Sequence, residues 1–185
     1  MKSAIKFANT LAAAVLLQVS GAQAHDASSN DMATLKNLLN DKAMTAQHIE
    51  KFDELDFEIF SGQQWDRIKK SHDKDIIVHW PDGRVTRGIN THIEDLKAMF
   101  VWGPNINISK HPIKFGSGKW TAVVGEMTGT FSKPMPIGEG KTIAPTGKSF
   151  KITMATLGYW EKGVMTEEYL FWDNQDFMKQ IGLGQ

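Results

Sequence analysis

Asp173 is the residue of this sequence with the clearest capacity for chemistry. It ends residues 164–173, a segment rich in β-branched and aromatic side chains that is predicted to form a strand. Because side chains alternate along a strand, Asp173 would share one face with Glu167, Tyr169 and Phe171. If that face lines a pocket, its apolar surroundings disfavour the charged form of the carboxyl group and suit it to proton transfer.

A second role for Asp173 is structural. It precedes a short segment, from Asn174 onwards, whose apolar residues predict a final helix. As the N-cap of that helix, its side-chain oxygen would accept a hydrogen bond from a free backbone N–H group of the first turn. Residue types alone favour the cap, since caps outnumber catalytic acids, and both roles remain open at this point.

The six histidines follow no recognised metal-ligand pattern. They lie at positions 25, 48, 72, 79, 92 and 111, and none forms a His-x-x-x-His pair, so we expect neither a metal site nor a cofactor. His79 precedes Trp80 at the end of an apolar segment and is the histidine best placed to point into an interior. There it would be either a core residue bonded to a backbone carbonyl group or a catalytic partner.

Several classes of chemistry are not expected. The sequence has no cysteine, which excludes thiolate nucleophiles, thiolate metal sites and disulfides. It also has no Gly-x-Ser-x-Gly elbow for a serine nucleophile. Residues 138–142 faintly resemble a phosphate-binding loop but lack its first glycine and its strand-to-helix context. Neither nucleophilic serine hydrolysis nor nucleotide binding is therefore predicted.

The N-terminal segment has the layout of a secretory signal peptide. A basic start is followed by an apolar stretch and by Ala22–Gln23–Ala24, which predicts cleavage after residue 24 and export, to the periplasm in our interpretation. The mature chain of 161 residues has no segment long and apolar enough to span a membrane. Its 19 basic and 21 acidic residues do not indicate a nucleic-acid partner.

The order of predicted elements is that of an α+β protein. Residues 25–44 are predicted to be a partly helical extension, and residues 45–185 a single domain. Thr45 is predicted to cap a helix that ends near Ser61–Gly62, and Thr91 to open another through a Thr-x-x-Glu capping box. Strands are predicted at residues 75–80, 106–115, 120–131, 150–160 and 164–173.

Several short motifs, taken in this order, resemble one family. They are Trp80–Pro81–Asp82–Gly83, Arg87–Gly88, Thr128–Gly129–Thr130–Phe131, Pro145–Thr146–Gly147–Lys148, Gly163 to Glu168, Trp172–Asp173 and Gln180–Ile181–Gly182–Leu183. Together they resemble the SnoaL-like polyketide cyclases, or ester cyclases, of the nuclear transport factor 2-like superfamily. The resemblance covers roughly residues 45–184.

The resemblance implies a cone-like α+β fold in which a curved antiparallel sheet wraps around the N-terminal helices and encloses an apolar pocket. It further implies that the acid on the last long strand, here Asp173, acts as general acid and base. His79 and Tyr169 are the best candidates in this sequence to assist it. We expect the pocket wall to include four apolar side chains: Trp80, Phe131, Met154 and Phe171. A homodimer formed through the open sheet face is also expected.

The face of the last strand that lines the pocket depends on the register of the final hairpin. With a two-residue turn at Lys162–Gly163, Asp173 would oppose Ile152 and Phe171 would oppose Met154. One extra residue would switch the faces. The sequence therefore leaves the face open.

The function predicted from these observations is that of an exported protein that binds a small hydrophobic, carbonyl-bearing molecule. It would catalyse cyclisation, isomerisation or hydrolysis by acid/base proton transfer through Asp173. The alternative is a periplasmic small-molecule-binding or structural domain without catalysis, in which Asp173 only caps the last helix.

Overall fold

The computed structural model describes residues 29–184. The predicted signal peptide and the first residues of the mature chain lie outside the described residues. Contacts divide the chain after Leu38, and residues 39–185 form one compact unit. Residues 29–38 are helical. None of the described helices combines the length and the apolar content needed to cross a membrane.

The helical segments precede the first strand, follow the two strands of residues 72–87 and follow the last strand, as the order of elements predicted. The α-helices are α1 (Ser29–Glu54), α2 (Ile89–Trp102) and α3 (Asn174–Gln180); α1 continues as a π-helical segment, Leu55–Phe60, and a 3-10 helix spans Trp65–Lys70. The predicted caps at Thr45 and Thr91 are wrong. Helix α1 runs through Thr45 because no glycine or proline interrupts it, and α2 begins two residues before Thr91, after Gly88.

The strands form one large sheet and a small two-stranded ribbon. Their bounds are β1 (His72–His79), β2 (Val85–Arg87), β3 (Asn107–Ile108), β4 (Ile113–Ser117), β5 (Trp120–Thr130), β6 (Met135–Pro136), β7 (Thr142–Ile143), β8 (Ser149–Glu161) and β9 (Val164–Trp172). The large sheet has the order β2-β1-β9-β8-β5-β3, with β4 also paired to β5. The α+β fold class with a curved sheet is confirmed, and one pairing, β1 with β9, is parallel.

A β-bulge in β9 sets the register of the final hairpin. The turn at Lys162–Gly163 has two residues, as predicted, so Glu161 opposes Val164. The pairing then shifts by one residue between Trp160↔Met165 and Tyr159↔Glu167, which leaves Thr166 as the extra residue. As a consequence Met154 opposes Trp172 instead of Phe171. The face of β9 that carries Glu168, Leu170 and Trp172 is therefore the interior face.

The interior face of the sheet carries the core. Alternate residues of β5, β8 and β9 are buried there and pack against the end of α1 and against α2. The largest fully buried side chains are Phe52, Phe131 and Trp160. This arrangement leaves a cavity between the sheet and the helices.

Candidate functional site: a polar cluster in an apolar cavity

An apolar cavity lies inside the curve of the sheet. It is lined by Leu55, Asp56, Phe60, His72, Trp80, His92, Leu96, Met99, Ile108, Met127, Met154, Thr156, Glu168, Leu170 and Trp172. The volume of this cavity is about 40 Å³. A wider opening of about 200 Å³ shares four of these side chains, including Trp80 and Trp172, and so forms the outer part of the same depression. The polar groups of the inner part are Asp56, His72, His92, Thr156 and Glu168.

Glu168 lies at the centre of a buried cluster with two histidines. Strand β9 directs it inward, His72 comes from the start of β1, and His92 from the first turn of α2. Glu168 Oε2 is 3.6 Å from His72 Nε2 and 3.5 Å from His92 Nε2. All three residues are at least nine-tenths buried. The donor atoms of the three lie within 4.8 Å of one another, so these are residues that could hold a metal ion.

Burial and charge act in opposite directions on this cluster. Burial is the main cause that lowers the pKa of His92 to about 4, and the charge of Glu168 only partly offsets it. Burial alone would raise the pKa of Glu168, but the interaction with His72, 3.6 Å away, together with the charge of His92, brings it below its usual value. The carboxylate form of Glu168 and a neutral His92 are therefore favoured at neutral pH.

A second polar group reaches the cavity wall through Asp56. Its Oδ2 is 2.8 Å from His111 Nε2, and His111 Nδ1 is 2.8 Å from Asp53 Oδ1. Asp53 also pairs with Lys114 at the surface. Burial raises the pKa of Asp56, against the opposing effect of His111. Burial lowers the pKa of His111, but its hydrogen bonds and charge interactions with Asp56 and Asp53 raise it above the usual value. The pair thus retains a proton at the cavity wall.

The structure places Asp173 outside the cavity lining. It is exposed, and its Oδ1 accepts hydrogen bonds from the backbone N–H groups of Gln175, at 2.8 Å, and Asp176, at 3.0 Å. Asp173 therefore caps α3. Its neighbours Trp172 and Asn174 line the outer opening, so Asp173 is close to the rim but is not among the lining residues.

His79 and Tyr169 lie together on the outer face of the sheet. Their rings stack with centroids 4.1 Å apart. Glu167 Oε1 accepts a hydrogen bond from the Tyr169 hydroxyl group at 2.8 Å and is 2.8 Å from His79 Nε2. None of the three residues lines the cavity, because their side chains lie on the face of the sheet opposite to Glu168.

Two of the four expected wall residues, Trp80 and Met154, line the cavity. Phe131 is fully buried in the core but is not part of the lining, and Phe171 is on the outer face, 50% exposed. The position of Phe171 follows from the shifted register of β9.

Sequence reasoning missed the acids and histidines that do line the cavity. Asp53 and Asp56 stand three residues apart beside the apolar stripe of a helix, which was the one available signal for a polar group near the core. His72, His92 and Glu168 come from three separate elements. No spacing along the chain could have joined them.

Comparisons with known proteins identify the family. The model of the SnoaL-like polyketide cyclases matches residues 43–181. Among solved structures, a putative SnoaL-like polyketide cyclase from Jannaschia sp. CCS1 is 19% identical and covers 77% of this chain and 96% of its own, with a TM-score of 0.66. IdmH, a putative polyketide cyclase from Streptomyces antibioticus, is 19% identical over 74% of this chain and 99% of its own, with a TM-score of 0.62. A comparison with curated proteins found no match.

Proposed function

We propose that this chain, which belongs to the SnoaL-like polyketide cyclase family, is an exported protein that binds a small hydrophobic, carbonyl-bearing molecule and catalyses proton transfer on it. The reaction class is cyclisation or isomerisation, since both begin with removal of a proton next to a carbonyl group. The acid/base group is Asp56, and the ligand occupies the cavity together with its outer opening.

The observation that carries this proposal is a carboxyl group in an apolar wall. Asp56 is only 8% exposed, lines the cavity and has a raised pKa because of its burial. A carboxyl group whose pKa is raised toward neutrality is a more effective general acid or base than one in water. Its partner His111 is fully buried at the side chain, so the hydrogen bond between them is shielded from solvent.

The residues around Asp56 support each part of the reaction. His111 holds Oδ2, which leaves the other carboxyl oxygen for the ligand. The carboxylate takes the proton from the carbon atom next to the carbonyl group, and the resulting acid returns it at the new position. The apolar lining, including Leu55, Leu96 and Met127, excludes water from the enolate formed between the two steps.

Proton exchange on a ketone tests the proposal without knowledge of the natural substrate. The mature protein is incubated in D₂O with α-tetralone as a probe, and loss of the α-proton signal is followed by NMR. We expect exchange above the rate of buffer alone, and a fall of about 100-fold or more in Asp56→Asn, which keeps the size of the side chain but cannot take up the proton.

Asp173→Asn is the matched control, because asparagine caps a helix about as well as aspartate. Exchange unchanged in Asp173→Asn and lost in Asp56→Asn supports the proposal. The reverse result would transfer the acid/base role to Asp173. Probe binding without exchange in the wild-type protein would favour the alternative of a non-catalytic binding domain.

Export is tested separately. The predicted signal peptide supports it, and the protein recovered from the periplasmic fraction of a Gram-negative expression host should begin at His25. Intact-mass measurement checks this. A cytoplasmic protein that retains residues 1–24 would contradict it.

A further inference from the structure

We propose that His72, His92 and Glu168 form a binding site for one divalent transition-metal ion at the inner end of the cavity. No step of the proton transfer assigned to Asp56 depends on this ion. The inference rests on the donor atoms, their separations and their missing hydrogen-bond partners.

The separations around Glu168 suit a metal ion better than hydrogen bonds. Oε2 lies 3.6 Å and 3.5 Å from the two histidine Nε2 atoms, beyond the usual range of about 2.7–3.2 Å for such a bond. A tetrahedral ion with bonds of about 2.1 Å has its ligand atoms about 3.4 Å apart. The two separations are therefore close to the distance between ligand atoms in a tetrahedral site.

The cluster also leaves buried polar atoms without partners. Among the described residues, no hydrogen bond reaches Glu168 Oε2, His72 Nε2 or His92 Nδ1. An unpaired buried carboxylate is costly, and buried charges are usually paired or coordinate a metal. An ion bound by Glu168 Oε2 and the two Nε2 atoms would satisfy two of these three atoms, Glu168 Oε2 and His72 Nε2.

The imidazole of His72 is already oriented for such a role. Its Nδ1 is 2.9 Å from the hydroxyl oxygen of Ser71. When Nδ1 carries the ring proton and donates it to Ser71, the Nε2 lone pair faces Glu168. A hydrogen bond from the ring nitrogen that does not bind the metal is usual for a metal-bound histidine. The rings of His72 and His92 stack with their centroids 5.0 Å apart.

The donor set selects the class of metal. Two imidazole nitrogens and one carboxylate oxygen suit Zn²⁺, Co²⁺, Ni²⁺ or Fe²⁺, whereas Ca²⁺ and Mg²⁺ prefer oxygen ligands. Three protein ligands leave at least one coordination position. The cavity of about 40 Å³ beside the cluster has room for a water molecule or a ligand oxygen in that position.

Metal titration of the mature protein tests the site. After treatment with a chelator, we expect calorimetry to show one Zn²⁺ bound per chain with a Kd on the order of 1 µM or tighter, and Co²⁺ to give the visible absorption of a low-coordinate ion. His92→Gln and Glu168→Gln should each weaken Zn²⁺ binding by about 100-fold or more, since even loss of an outer-shell partner costs about 10–100-fold.

The chain provides its own matched control. His79 and Glu167 form a partly exposed pair at 2.8 Å on the outer face of the sheet. His79→Gln and Glu167→Gln should leave Zn²⁺ binding unchanged. Asp56→Asn, which removes a charge that interacts with Glu168 and His72, should change Zn²⁺ binding far less than Glu168→Gln does, and this separates the inference from the proposed acid/base role. If His79→Gln and Glu167→Gln lost as much Zn²⁺ binding as His92→Gln and Glu168→Gln, the ion would be bound at the surface, and the proposed site would be wrong.

A measurement on the wild-type protein covers the case in which the core variants do not fold. X-ray absorption of the Zn²⁺-loaded protein should show two imidazole ligands. A spectrum without imidazole scattering, or a wild-type Kd weaker than about 1 mM, would also overturn the inference.

Discussion

His111 is held between two carboxylates, and this makes its proton part of the stability of the fold. Each ring nitrogen is 2.8 Å from an aspartate oxygen, Asp53 on one side and Asp56 on the other. Although burial lowers the pKa of His111, these contacts raise it above the unfolded value. The folded chain therefore binds this proton more tightly than the unfolded chain, and so the proton stabilises the fold.

The stabilising effect of the His111 proton decreases as pH rises. The contribution of His111 is complete below the unfolded pKa of about 6.5 and is lost as pH rises through its higher folded pKa. The raised pKa of Asp56 acts in the same direction, because the folded state again holds the extra proton. Each unit by which the folded pKa exceeds the unfolded value is worth about 1.4 kcal/mol.

We therefore expect the free energy of unfolding to fall more steeply, as pH rises above about 6.5, in the wild-type protein than in His111→Gln. Urea denaturation at a series of pH values measures this, with a chelator present so that bound metal does not contribute. Parallel profiles for the two proteins would show that His111 does not carry the dependence.

Sequence reasoning singled out Asp173, whereas β9 presents Glu168 to the cavity. The two residues are five positions apart. The alternation of side chains in β9 was predicted, and by that alternation Glu168 lies on the face opposite to Tyr169. The interior face depended on a register that the turn alone does not determine. A bulge at Thr166, which leaves no clear signal in the sequence, decided it.

At the scale of elements, glycines allow the sheet to approach the helices closely. Gly158 lies in β8 opposite Glu168 and faces the interior. A Cβ atom at this position would lie 2.5 Å from Met165 Sδ and 3.0 Å from a ring carbon of Phe52, both in fully buried side chains. Gly125, in β5, also faces the interior, but the nearest atom to its added Cβ would be 3.3 Å away.

Gly158→Ala should therefore lower the free energy of unfolding by about 2 kcal/mol, since overpacking a filled core costs roughly 1–3 kcal/mol. Gly125→Ala, the same substitution on the same face, should cost less than about 1 kcal/mol because its neighbours need to move only slightly. Chemical denaturation of the two variants gives the comparison. If the two variants lost equal free energy of unfolding, the close contacts at Gly158 would not be the cause of the destabilisation.

The helices show which local signals were sufficient and which were not. The apolar spacing of residues 49–60 predicted a core-facing helix correctly, because burial of one face determines where that segment packs. The cap signals at Thr45 and Thr91 failed. Threonine is tolerated within a helix, and once α1 and α2 pack against the sheet the local cap preference is too weak to end or begin them there.

At the scale of the whole molecule, the order of elements was sufficient to predict the fold class but not the order in which the strands pair in the sheet. Hairpins such as β8–β9 follow from short turns between neighbouring segments. The parallel pairing of β1 with β9 joins residues almost a hundred positions apart, and no local pattern encodes it. The cavity forms between segments that this pairing brings together, which is why its polar residues could not be assembled from sequence.

The outer face of the sheet carries an exposed aromatic surface, which we define by Phe115, Trp120, Tyr159, Tyr169 and Phe171. Phe115 is 63% exposed, Phe171 50% and Trp120 42%. Trp120 contacts Tyr159, with ring centroids 4.9 Å apart, and its ring centroid is 6.1 Å from that of Tyr169. Exposed apolar surface of this extent is typical of an interaction site, and it supports the homodimer expected from the sequence.

A charge placed in this aromatic surface should weaken the dimer, because association would then bury an unpaired carboxylate. We expect sedimentation velocity to show the wild-type protein as a dimer and Trp120→Glu shifted toward monomer at the same concentration. Val101→Glu is the matched control, since Val101 is 52% exposed but lies on α2. A monomeric wild-type protein, or equal dissociation in the two variants, would show that the outer face of the sheet does not mediate self-association.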